Sequence, residues 1–145
     1  FKHLIYHNQT LFALVYSKGY FFFMTIFGVI YGAVLVVVGV FGFLKSGGES
    51  VTALIPAFLG SPVVFLSMLS LNPKYLKLSM HINVVIALLG FLATIKDTVI
   101  FISGQEIENE LAAYSKAITC IVSLLFIVFS VKSFIKARKS KRASI

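Results

Sequence analysis

Long apolar stretches, nearly free of charge, alternate with short polar segments along this chain, and the alternation predicts its elements directly. The first stretch covers residues 20–44, opening on the aromatic run YFFF and closing at KSGGES, a Gly/Ser turn with charge. The second covers residues 51–71 and stops at LNPKYLK, where Asn72 and Pro73 break the helix and Lys74 and Lys77 stand at headgroup level. The third runs over residues 80–103 and the fourth over residues 111–135, followed by the basic tail KARKSKRASI at 136–145. A helix of roughly 20 apolar residues crosses a hydrocarbon layer of about 30 Å. The predicted fold class is therefore all-α: an integral membrane bundle of four transmembrane helices.

Residues 1–19 carry a different pattern. Phe1, Leu4, Ile5, Leu11, Phe12 and Val15 share one helical face, with Lys2, His3, Gln9 and Thr10 mostly elsewhere. That suits an amphipathic helix lying in the membrane interface, or a leader packed on a neighbouring subunit. The motif Asn8-Gln9-Thr10 has the glycosylation spacing, which goes unused on a cytoplasmic segment.

Composition sharpens the class. The chain has 145 residues, 59% of them hydrophobic and 12% charged, with a mean hydropathy of +0.97; ordinary soluble domains carry about 25% charged residues. The net charge of +8 does not point to nucleic acid, because the basic residues lie in loops and the tail rather than among stacking aromatics on a soluble face. It points to orientation. Four spans put Lys2, Lys18, Lys74, Lys77, Lys132, Lys136, Arg138, Lys139, Lys141 and Arg142 on one side of the membrane. Lys45, Lys96 and Lys116 fall on the other, together with all five acids, Glu49, Asp97, Glu106, Glu108 and Glu110. The positive-inside rule then makes both termini cytoplasmic, and the basic residues from Lys132 to Arg142 become candidate contacts for anionic lipid headgroups.

The most conspicuous polar positions inside the apolar pattern are Lys96 and Asp97, in GFLATIKDTVIFISG. From a helix start near Met80, Lys96 lies about 16 residues or roughly 24 Å along, in the outer part of the bilayer. Neighbours in sequence do not face each other on a helix, so Lys96 is a poor partner for Asp97. Lys116 is a better one: positions 97 and 116 both lie about 9.5 residues from a hairpin centre near 106.5 and so share a depth. The expected interhelical pair Asp97–Lys116 either fixes the register of the hairpin or forms an ion or proton site.

Other candidates are weaker. His81, in LSMHINV, is placed near the cytoplasmic surface, where it serves interfacial hydrogen bonding or, with a second axial ligand, haem binding. His3 and His7 share a helix face without a nearby carboxylate. Pro56 and Pro62, in LIPAFLGSPVVF, are expected to kink or locally unwind the second helix. Gly28, Gly32, Gly39 and Gly42 supply small surfaces for close helix packing, inside the bundle or against a partner. The single cysteine, Cys120, reads as a packing residue. No nucleophile with an activating base, phosphate-cradling Gly loop, paired carboxylate site or HExxH motif occurs, so neither a catalytic mechanism nor a cofactor is predicted.

The stretch TALIPAFLGSPVVFL, followed by NPKYLKLSMHINVVIALLGFLAT, resembles a group of small bacterial inner-membrane proteins of four helices with no established activity. The resemblance covers residues 51–94 and rests on LIPA, on the Asn72-Pro73 break and on Met80-His81. It implies a bacterial inner membrane and supplies no catalytic residues.

Three functional classes fit the pattern. The first is a non-catalytic accessory or structural subunit whose partners are other membrane subunits. The second is a small oligomeric transporter or channel that uses Asp97, Lys116 and the kinked second helix. The third is a haem- or quinone-binding redox subunit built on His81.

Overall fold

A computed structural model describes residues 2–105 and 110–143, with side chains for residues 18–105, 110–139 and Arg142. These residues form four α-helices, α1 (Lys2–Lys45), α2 (Ile55–Leu69), α3 (Leu76–Ile102) and α4 (Glu110–Ala143), with a 3-10 turn at Val51–Leu54 leading into α2. The segments Lys18–Lys45, Val51–Leu69, Leu76–Ile102 and Glu110–Lys139 are each long and apolar enough to cross a membrane. The chain is thus a multi-pass, all-helical membrane bundle. This architecture follows from the solvent: in hydrocarbon every backbone N–H and C=O must be satisfied within the chain, and a helix does so within one segment.

The turns are made by residues suited to them. Helix α1 ends where Gly47 and Gly48 take φ of 69° and 83°, conformations that glycine adopts without penalty. There Gly48 N–H donates back to Phe43 O at 3.1 Å. Gly104, at φ 72°, ends α3 in the same manner. Between α2 and α3, Lys74 N–H donates to Asn72 Oδ1 at 3.1 Å, an Asx-type turn that carries the chain past Pro73.

Several boundaries differ from those the apolar pattern predicts. Helix α3 begins at Leu76, a turn before Met80, because helix resumes as soon as Pro73 has been passed. Helix α4 continues through the basic tail to Ala143, since KARKSKRA contains good helix formers and neither Gly nor Pro, and cations favour a helix C-terminus. Helix α1 shows no break between residues 2–19 and the first span; one exposed glycine, Gly19, does not interrupt it. Pro56 sits in the first turn of α2, where its missing N–H costs no hydrogen bond, so the conversion from 3-10 to α-helix falls there instead of a kink. Pro62 alone lies inside α2, and it is exposed.

The helices pack as two antiparallel hairpins, α1 with α2 and α3 with α4, joined along α2/α3 and α1/α4. Four of the five glycines of α1, Gly28, Gly32, Gly39 and Gly42, lie against other segments of this chain. Gly39 faces the backbone of Ala57, Gly42 faces Ala53, Gly28 faces Ser67, and Gly32 faces Gly60 and Val64. At Gly60 the approach is to backbone on both sides, and an added methyl would stand 2.5 Å from Gly32 O and 2.9 Å from Val36 N. The apolar core is Tyr31, Leu35, Val63, Ala87 and Phe126. Within it Tyr31 stacks on Phe126 with centroids 4.3 Å apart, and Phe27 stacks on the same ring at 5.7 Å.

Backbone cannot give way as a flexible side chain does, so Gly60→Ala should destabilise the bundle by about 1–3 kcal/mol. Gly19→Ala, with nothing within 4 Å, should be neutral. Thermal unfolding of both variants in one detergent checks this, and equal melting temperatures would contradict the α1/α2 contact.

Candidate functional site

The α3/α4 hairpin has a consistent register. His81 stacks on Phe134 at 4.8 Å, Phe101 meets Tyr114 edge-on at 5.0 Å, and Gly90 lies beside Ser123. The same register brings Asp97 and Lys116 together, and Lys116 Nζ donates to Asp97 Oδ2 at 2.5 Å. Their side chains are 41% and 43% exposed respectively, on the lateral surface of the hairpin. Because α3 starts at Leu76, Asp97 lies about 32 Å along the helix, at the far edge of a hydrocarbon layer of roughly 30 Å rather than near its middle. Lys96 is exposed and, about 100° further round the helix, faces away from the pair. At headgroup level such a pair contributes about 0–1 kcal/mol. Its effect is on geometry, since slipping the hairpin by a turn would carry one charge towards hydrocarbon and strand the other.

A second polar system fills the interior. Among the described residues, twelve buried side chains are polar, against nine apolar ones and Pro56. The hydroxyls follow two rules. Many bond to a carbonyl one turn back on their own helix: Thr94 to Gly90 O at 2.7 Å, Thr98 to Thr94 O at 2.7 Å and Thr119 to Ser115 O at 2.8 Å. Others join helices. Thr25 and Ser70 share a hydrogen bond at 2.9 Å between α1 and the end of α2, and Ser70 Oγ also donates to Ser67 O at 2.6 Å. Asn83 Nδ2 donates to Ser67 Oγ at 2.9 Å between α3 and α2, and Tyr31 and Ser123 are bonded at 2.9 Å between α1 and α4. Asn83 Oδ1 and Ser115 Oγ are buried without a partner among the described residues.

Sequence reasoning missed this interior network, although a signal was present. Asn83, Ala87, Gly90, Thr94 and Thr98 on α3, and Ser115, Thr119 and Ser123 on α4, recur at three- and four-residue spacing in otherwise apolar helices. In a membrane the outer face is apolar, so a stripe of small and polar residues marks the packed face.

The remaining candidates are scattered. His81 is exposed, and its Nδ1 lies 2.6 Å from Lys77 O; a carbonyl cannot donate, so Nδ1 carries the proton and Nε2 is left available. The side chains of His3 and His7 lie outside the described residues, and no group of three His, Cys, Asp or Glu side chains occurs among those described. Cys120 is buried as a free thiol. Of the basic tail, Lys132, Lys136, Arg138, Lys139 and Arg142 are exposed, and the Lys141 side chain lies outside the described residues.

The Tyr31–Ser123 hydrogen bond ties two hairpins across the core and provides a measure of the network. Tyr31→Phe and Ser123→Ala, alone and together in a double-mutant cycle, should give a coupling near 0.6 kcal/mol, the average for hydrogen bonds between membrane helices. Reversible unfolding in mixed micelles reads it, and additive effects would mean that the bond contributes nothing.

No family model, curated protein or solved structure matches the chain.

Proposed function

We propose that this protein is a non-catalytic accessory subunit of a larger membrane complex, in a bacterial inner membrane, with both termini in the cytoplasm. The observation that carries this reading is the Asp97–Lys116 pair, half-exposed on the lateral face of α3/α4 near its non-cytoplasmic end. The interior polar groups are largely bonded to one another or to their own helix carbonyls, which supports a packed scaffold rather than an open path. The glycine surface of α1 is spent against other helices of the same chain, so support for a partner comes from the α3/α4 face and not from α1. Orientation is supported by charge: Lys18, Lys74, Lys77, Lys132, Lys136, Arg138, Lys139 and Arg142 all belong to one end of the bundle.

A second reading, a small oligomeric transporter or channel, is favoured by one feature. The same ion pair is ionisable and reachable from the side of the bundle, where a second copy would enclose it.

One substitution separates the two. Under the accessory reading, Asp97→Asn leaves the chain folded but releases larger subunits that co-purify with the wild type in mild detergent, read by intact-complex mass spectrometry. Under the transport reading, assemblies of this chain alone persist and flux in proteoliposomes disappears. Topology has its own check. A cysteine replacing Ser103 in a Cys120→Ser background should react with an impermeant maleimide from outside intact cells, and one replacing Ser70's neighbour Leu71 only after lysis; the reverse pattern would invert the orientation.

A further inference from the structure

An open groove of about 230 Å³ runs between α1 and α4, at the end of the bundle that carries most of the basic residues. Its floor is apolar, formed by Phe23 and Phe27 of α1, Met80 of α3, and Phe126 and Phe129 of α4. Its mouth is polar and cationic. Lys132 and Lys136, four residues apart and so on one helix face, line it beside Tyr20 and Ser133, whose hydroxyls are bonded at 2.8 Å. Lys136 Nζ also stands 5.5 Å from the centroid of the Tyr20 ring.

The polarity of the groove changes in one direction along the bundle. From Phe126 to Lys136 is about 15 Å of helical rise, and the antiparallel α1 runs beside it for about 10 Å of that length, from Phe27 out to Tyr20. Aromatic floor lies at hydrocarbon depth, while the hydroxyls and ammonium groups lie where headgroups begin. The volume falls below the roughly 300–1,000 Å³ of enclosed small-molecule pockets, and two of its lining rings, Phe23 and Phe129, are more than half exposed. These dimensions suit a length of one hydrocarbon chain, and the two lysines suit the phosphate that such a chain carries.

We propose that this groove is a defined binding site for one anionic phospholipid of the cytoplasmic leaflet, with an acyl chain along Phe23, Phe27 and Phe129 and the headgroup phosphate held by Lys132 and Lys136. It differs from general attraction of the basic tail to a charged surface, because it requires the groove as well as the charge. It does not depend on the accessory-subunit reading, and only its leaflet rests on the proposed orientation.

The test is native mass spectrometry of the full chain in detergent, titrated with phosphatidylglycerol or with phosphatidylcholine of the same acyl chains. One phosphatidylglycerol per chain should be retained with at least roughly tenfold preference, as two basic groups near a surface allow. The preference should vanish in Lys132→Ala/Lys136→Ala. Ser130→Leu, which fills the groove and keeps both lysines, should abolish retention. Equal retention of both lipids, or undiminished retention by Ser130→Leu, would overturn the site. Wild-type protein supplies a control that needs no variant. In vesicles of phosphatidylglycerol with a photoreactive group at mid-chain, crosslinks should concentrate on residues 20–27 and 126–136, and labelling spread evenly over the outward faces of all four helices would refute it.

Discussion

The close approach of α1 and α2 at Gly32 and Gly60 is the constraint on which the rest of the bundle depends. Between these two residues the helices meet through backbone, and an added methyl on Gly60 would stand 2.5 Å from Gly32 O. Lipid tails are as apolar as leucine, so apolar burial cannot draw helices together here; close packing and interhelical hydrogen bonds must do so. The glycines meet that requirement along the length of α1, from Gly28 near Ser67 to Gly42 near Ala53. With α1 and α2 locked, Ser67 and Ser70 are held where Asn83 and Thr25 can reach them. The α3/α4 hairpin then closes against this first layer through Asn83, Leu59 beside Gly90, and Tyr31 with Phe126.

The interior is consequently richer in polar side chains than its outer face, the reverse of a soluble domain. Serine and threonine serve this arrangement because they are small and can return their own hydroxyl hydrogen to a carbonyl one turn back, costing no unpaired donor. Cross-helix bonds such as Tyr31–Ser123 then add direction to packing that would otherwise be set by shape alone. Charge is treated differently from hydroxyls. The Asp97–Lys116 pair lies near the end of the hairpin, where solvation remains available, and the basic residues of α4 lie at the opposite end beside an aromatic groove. The two ends of the bundle thus carry different chemistry: a paired, nearly neutral one and a cationic one.

Much of this was legible in the order of residues. Four apolar runs separated by Gly/Ser, Asn-Pro and acidic segments determined four spanning helices, because only internally bonded backbone is tolerated in hydrocarbon. Counting outward from the α3/α4 turn placed Asp97 level with Lys116, because antiparallel helices of equal rise keep equal depths. Helix ends were less legible. The pattern marks where apolar residues stop, whereas helix continues until a turn ends it, through Gly19 in α1 and through the tail to Ala143.

Only the tertiary structure decided which partner covers the packed face of each helix. Sequence alone placed Gly28, Gly32, Gly39 and Gly42 on α1 but left open whether this chain or another would cover them, since a small surface has no preference of its own; proximity to Gly60 and Ala57 resolved it. The pairing of Asn83 with Ser67 and of Tyr31 with Ser123 depends on the rotation of each helix about its axis, which hydropathy does not encode. The groove beneath Lys132 and Lys136 is a property of the space between α1 and α4, and no single segment contains it.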